Sequence, residues 1–146
     1  MPTVNHSAKL AATLTALLAA SPASALVAAR IYAAHAPQAS ALPRVVWHEI
    51  ASMPSHCHDS ATTSDPGLEE TVIQIDIEGR TLTACRAVAD AIAVSLDGGT
   101  YLGVAHILAG FRETSGSAQA LDYSTGDGEA EAYRLSIDYR LLWRDA

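Results

Sequence analysis

The chain has 146 residues, a formal charge of −7 and 49% hydrophobic residues, the profile of a globular chain long enough to bury a core. Nine Lys and Arg stand against 16 Asp and Glu, and the nine form no patch, which excludes a general nucleic-acid-binding surface. No apolar run approaches the roughly 20 residues that cross a bilayer.

A single domain is expected over residues 1–146, with 1–6 a loose end. Ser7 can cap a first helix, Ala8 to Ala20, that buries Leu10, Leu14, Leu17 and Leu18 on one side. Lys9, the run Leu10 to Ala20 and the small residues Ser21 to Ala25 imitate a secretory signal, but Thr13 and Thr15 interrupt the run and favour an amphipathic helix. Ser21-Pro22 restarts the chain with a cap and a proline at the first helical position. A short helix then runs to about Ala29, followed by a short extended segment, Arg30-Ile31-Tyr32. Ala33 to Pro43 reads as a loop.

Arg44 to Ser52 alternates as a strand, with Val45, Trp47 and Glu49 on one face and Val46, His48 and Ile50 on the other. Met53 to Leu68 has no period and is rich in Ser, Thr, Asp, His and Pro, a first long loop of the kind that carries function. Ile73, Ile75 and Ile77 then alternate with Gln74, Asp76 and Glu78, giving a strand with one dry and one wet face. Gly79 breaks it and Thr81 is the expected N-cap of a helix. Leu82, Cys85, Val88, Ala89, Ile92 and Leu96 form that helix's apolar stripe, and Gly98-Gly99 stands where a left-handed C-cap wants glycine. This strand and helix are the expected core.

Thr100 to Arg112 reads as a strand interrupted at Gly103 and Gly110. Glu113 to Glu131 reads as a second long loop, glycine-rich and acidic, with Asp122, Asp127, Glu129 and Glu131. The last strand is the cleanest: Tyr133, Leu135, Ile137, Tyr139, Leu141 and Trp143 alternate with more polar residues, which predicts pairing on both edges. The expected fold class is α+β: a mostly antiparallel sheet of four to five strands, helices packed on one face, and two long loops.

No constellation rises to a catalytic, cofactor or metal site. His56-Cys57-His58-Asp59 offers zinc-type ligands, but no second pair at matching spacing closes a tetrahedral site. Ser115-Gly116-Ser117 lacks the strand-turn-helix setting of a nucleophile elbow. Gly98-Gly99 is followed by a strand and no Gly-Lys-Ser/Thr, so it is not a phosphate loop. Cys57 and Cys85 read as isolated thiols of a reducing compartment, although their spacing would allow a bridge. Such a chain works by its surfaces.

Three stretches carry a family likeness. The run Leu10 to Leu18, Ala25-Leu26-Val27 with Arg30-Ile31-Tyr32, and Ala36-Pro37 to Trp47 resembles the tail-completion (tail-terminator) proteins of long-tailed double-stranded DNA bacteriophages. So do Val72 to Asp76 with the helix ending Ala91 to Asp97, and the closing strand Tyr133 to Arg140. The likeness spans roughly residues 8–143; the loop with His56 to His58 has no match in it.

The resemblance implies a virion protein without enzymatic activity or cofactor. It would form a homohexameric ring at the head-proximal end of the tail tube, touching the tube protein and the head connector while genomic DNA passes through, with no membrane involved. Under this reading Asp122, Asp127, Glu129 and Glu131, with His56, Asp59 and Asp65 of the first loop, are interface or lumen candidates. An acidic wall suits a pore that must not hold DNA. Two other readings compete: a bacterial α/β ligand-binding or regulatory module, and a small metal-assisted hydrolase using His56 and His58. The hydrolase reading is open to a direct check. Replacing His56, Cys57 and His58 together by Ser should leave the melting temperature unchanged, with or without chelator. A chelator-dependent fall of several degrees in the unsubstituted protein would restore the metal site.

Overall fold

Strict alternation in the two best-patterned segments builds the sheet. The computed structural model describes residues 6–37, 41–55, 68–97, 100–103, 105–112, 117–125 and 128–145. In chain order the elements are α1 (His6–Ala20), α2 (Pro22–Leu26), β1 (Ile31–Ala33), β2 (Arg44–Ser55), β3 (Leu68–Gly79), α3 (Leu82–Leu96), β4 (Tyr101–Leu102), β5 (Ala105–Arg112), β6 (Ser117–Thr125) and β7 (Gly128–Asp145). They form one seven-stranded sheet in the order β1-β2-β3-β7-β5-β4, with β6 also on β7. Among the described residues, β1 and β2 pair parallel and every other pair is antiparallel.

The α+β class is as expected, and the strand count is higher. The segment from Glu113 to Glu131 is not a loop: β6 and the start of β7 pair in it as a hairpin, Thr125 opposite Gly128. Two residues, Gly126 and Asp127, separate the paired positions and lie outside the described residues. A Gly-Asp dipeptide between two runs of period two is a hairpin signal. The richness in glycine and acid had masked it. The strand expected from Thr100 to Arg112 is likewise two strands, β4 and β5, parted at Gly103.

β7 pairs on both edges. Its partner on one side is β3, in register from Glu69 opposite Trp143 to Gly79 opposite Tyr133. On the other side β5 pairs with its last third and β6 with its first half. One face of the sheet is the dry one. Val45, Trp47, Ile73, Ile75, Ile77, Leu135, Ile137, Tyr139, Leu141 and Trp143 are buried there in one cluster with the helices' Leu10, Leu14, Leu18, Cys85, Val88, Ile92 and Leu96.

Local chemistry fixes how the helices lie on that face. The Thr81 hydroxyl caps α3 by accepting from the Ala84 amide at 3.1 Å. At the other end, Gly110 faces the last turn of α3, and a side chain there would collide with the Leu96 carbonyl. Only glycine admits this close approach. Gly98-Gly99, the expected C-cap, lies outside the described residues.

In α1 the buried Thr13 hydroxyl accepts from the Ala105 amide at 2.8 Å, which ties the helix to the start of β5. That bond explains a polar residue inside an apolar stripe. The helix starts at His6, which puts Ser7 inside its first turn. α2 is shorter than expected: the Ala29 amide closes on the Ser24 carbonyl at 2.8 Å, with Ala28 and Ala29 left-handed. This closure ends the helix and turns the chain into β1.

Cys85 is a free, buried thiol that donates to the Tyr133 carbonyl at 3.6 Å. Burial and the nearby Glu78 charge push its pKa up.

Ile92 is fully buried between α3 and the sheet. Ile92→Ala should therefore lower unfolding stability by about 2–5 kcal/mol, the usual range for a large-to-small core change. Denaturant midpoints equivalent to less than about half a kcal/mol would mean the buried face of α3 is wrongly identified.

Candidate interface

Side chains alternate faces along a strand, so the residues between the buried positions share the sheet's outer face, away from the helices. Three rows of this face run across β2, β3 and β7: Arg44, Glu78 and Arg134; Val46, Asp76 and Ser136; His48, Gln74 and Asp138.

Glu78 is only 4% exposed. Its carboxylate is held from both neighbouring strands. Arg44 Nε donates to Oε2 at 2.6 Å, and Arg134 Nη2 to Oε1 at 2.8 Å. Burial pushes the Glu78 pKa up, but the hydrogen bonds and charges of Arg134 and Arg44 outweigh burial and hold it below the usual glutamate value. One row along, Asp76 Oδ1 accepts from Gln74 Nε2 at 2.9 Å and from Ser136 Oγ at 2.6 Å. Together these contacts clamp the middle of the outer face.

Beyond Tyr133 the sheet changes character. β3 ends at Gly79, yet β7 continues back to Gly128 with β6 as its partner. Leu121 to Thr125 and Gly128 to Ala132 thus form a two-stranded ribbon past the end of β3. Three acidic positions named from the sequence fall on it. Asp122 stands opposite Glu131, and Glu129 opposite Ser124, so the register gathers all three on one face of the ribbon. Asp127, His56, Asp59 and Asp65 lie outside the described residues. Glu129-Ala130-Glu131-Ala132 alternates with period two, but out of phase with the strand that begins at Tyr133, which hid the ribbon in the sequence.

On the helix side, where β5 gives way to β6, a half-open groove of about 270 Å³ has Leu135 and Ile137 in its lining with Arg86, Asp90 and Arg112. These lining residues include no nucleophile. Among the described residues no three His, Cys, Asp or Glu side chains converge on a metal-sized site, and no helix is long and apolar enough to cross a membrane.

Comparison with known families assigns this fold to a class of protein. Residues 12–144 match the family described as tail completion protein gp17, and the chain belongs to that family of structural virion proteins. No curated protein matches the chain. Among solved structures, a chain from the virion of a native gene transfer agent particle superposes with a TM-score of 0.64 at 14% identity, covering 97% of this chain and 99% of that one. A second solved chain superposes with a TM-score of 0.50 at 16% identity, covering 94% and 96%. At these identities the likeness is one of fold.

The Glu78 clamp predicts a pH dependence. A carboxylate with a depressed folded pKa stabilises the fold above its unfolded pKa, and the contribution disappears as pH falls through the folded value. At pH 7, Glu78→Gln should lower stability by about 1–3 kcal/mol, the range for losing hydrogen bonds to a charged group. The gap to the unsubstituted protein should close as pH drops below the ordinary glutamate range. A gap that stays constant down to strong acid would show that the charge of Glu78 is not what stabilises the sheet.

Proposed function

We propose that the protein forms a ring, six copies around, that seats on the head-proximal end of the tail tube. There it ends tube polymerisation and joins the tail to the head connector while the genome passes through its pore. The observation that carries this reading is membership of the tail completion family across residues 12–144.

The proposed partners are other copies of the chain, the tube protein below and the connector or head-closure protein above. The genomic DNA is a passenger, and no cofactor takes part. Residues 1–146 act as one unit in this scheme. His56, Asp59 and Asp65 belong to a segment offered to neighbouring rings.

Electrostatics supports the scheme. The subunit carries −7 overall, and its ribbon gathers Asp122, Glu129 and Glu131 on one face, joined in sequence by Asp127. Like charges directly opposite one another, as Asp122 and Glu131 are, weaken a strand pair. A chain that keeps them where neutral residues would pair better has a use for the field they make. Facing a channel, they would keep the phosphate backbone off the wall and let it slide.

Reversing Asp122, Asp127, Glu129 and Glu131 to Lys tests this. The variant should keep the circular dichroism and cooperative melting of the unsubstituted protein. It should retain double-stranded DNA that the unsubstituted protein releases, with a binding constant that falls steeply as salt rises. DNA retention that is unchanged, or insensitive to salt, would remove these residues from the lumen. Labelled protein found along the whole tube of purified tails, instead of at one end, would remove the terminator role itself.

A further inference from the structure

Glu78 engages two of the chain's arginines on the outer face. Two others, Arg86 on α3 and Arg112 at the end of β5, line the half-open groove of about 270 Å³ on the helix side. Both are exposed, and neither makes a hydrogen bond or ion pair among the described residues. Asp90 shares the lining. It stands one turn from Arg86, at the spacing of a helical ion pair, yet it too is unpaired among the described residues.

The floor has the opposite character. Leu135 and Ile137 are successive helix-side positions of β7, and Ala118 stands opposite Leu135 on β6. The next helix-side position is Tyr139, directly opposite Arg112 in the β5–β7 ladder. Tyr139 is fully buried, and its hydroxyl has no hydrogen-bond partner among the described residues. Burial pushes its pKa up against the pull of Arg112, with Asp97 and Asp90 adding to the rise, so the hydroxyl stays a neutral donor at pH 7. Two residues of the groove, Arg112 and Asp90, thus act on a buried donor that lacks an acceptor. Such a donor costs free energy that an incoming oxygen would recover.

These features select the ligand. Two guanidiniums against one carboxylate leave the groove one net positive charge. That matches a single carboxylate, which arginine binds well, and not a phosphate monoester with nearly two negative charges. Leu135 and Ile137 call for an apolar group beside the carboxylate, and Asp90 can accept from an N–H. An extended polypeptide with an acidic and an apolar residue two places apart presents all three on one side. The volume lies just under the roughly 300–1,000 Å³ of small-molecule sites and suits a few residues of chain.

We propose that this groove binds an extended acidic segment of a partner protein, its carboxylate held by Arg86 and Arg112 and its apolar side chain on Leu135 and Ile137. The inference stands apart from the ring reading. Among the described residues every Asp and Glu lies in a strand, in α3 or at its C-cap. Another copy would have to unpair its own sheet or helix to offer such a segment from these residues, so the occupant is a different protein.

The test uses the full-length chain and a short, end-capped, fluorescein-labelled peptide of alternating Leu and Glu, read by anisotropy. The peptide should bind the unsubstituted protein with a Kd below about 1 mM, and more weakly as salt rises. Its Gln counterpart should bind at least about ten-fold more weakly, the loss expected for one hydrogen bond to a charged group. Arg86→Glu with Arg112→Glu should cause a loss of the same size while keeping circular dichroism and cooperative melting. In a Cys57→Ser background, with Cys85 buried, a bulky maleimide on Ala118→Cys should block the peptide.

Equal binding of the Glu and Gln peptides, or binding that survives the blocked groove, would overturn the proposal. So would a folded charge-reversed variant of undiminished affinity, or no binding at about 1 mM. Displacement of the peptide by a double-stranded oligonucleotide more readily than by unlabelled peptide would give the arginines to DNA and overturn it. Binding that appears only after an assembled form of the protein is dissociated would give the groove to a second copy, and equally overturn it.

Discussion

Backbone hydrogen bonding along β7 ties the molecule together. From Tyr133 to Trp143 the strand pairs with β3 on one edge, while β6 and then β5 occupy the other. A strand bonded on both edges cannot slip by one residue without turning its whole buried set to the wrong face. Tyr139, Leu141 and Trp143 are the residues such a slip would expose. The two halves of the opposite edge belong to different strands, and β5 and β6 therefore inherit their register from β7. The helices then pack on a surface already specified, α3 settling over Gly110 and α1 held by Thr13.

The same strand sets the division of labour between the faces. On the helix side apolar burial supplies the stability; some polar groups are satisfied locally, while the buried Trp47 Nε1 and Tyr139 hydroxyl find no hydrogen-bond partner among the described residues. Trp143 Nε1 donates to Thr71 Oγ1 at 2.9 Å, and the Ser52 hydroxyl shares that oxygen at 2.9 Å. On the outer face there is no helix layer to exclude water among the described residues, and charge does part of the work. Glu78 joins β2, β3 and β7 in one row through two arginines. A buried carboxylate with a single partner would be costly, and bonding from both sides is what makes its burial tolerable. Past this row β7 outruns β3 and continues with β6 as its partner, so one strand belongs both to the sheet's interior and to the β6–β7 hairpin.

Much of this was readable from the residues. Ile73-Ile75-Ile77, the stripe from Cys85 to Leu96 and the alternation from Tyr133 to Trp143 each have one period and one dry face, so their structure follows from local pattern alone. The Thr81 cap was likewise readable, because capping needs only a hydroxyl before a helix start. The hairpin at Ser117 to Ala132 was not read, because its apolar positions are mostly alanine and its charges sit where a strand's buried face would be expected. Period two is still there, but hydrophobicity no longer reports it. Asp122, Glu129 and Glu131 stand out in the sequence as acidic residues, yet the sequence could not show that Asp122 stands opposite Glu131 across a ladder.

By itself, then, the sequence determined the elements whose burial pattern is local, the single apolar face of the sheet, the acidic balance of the chain and its family likeness. Tertiary structure alone decided which strands neighbour one another, that Glu78 lies between two arginines 34 and 56 residues away, and that Arg86 and Arg112 line one groove. The reason is physical. Periodicity is written within a segment, whereas strand order and register arise from pairing between segments, and nothing in the spacing of one strand says which other strand will fill its edge.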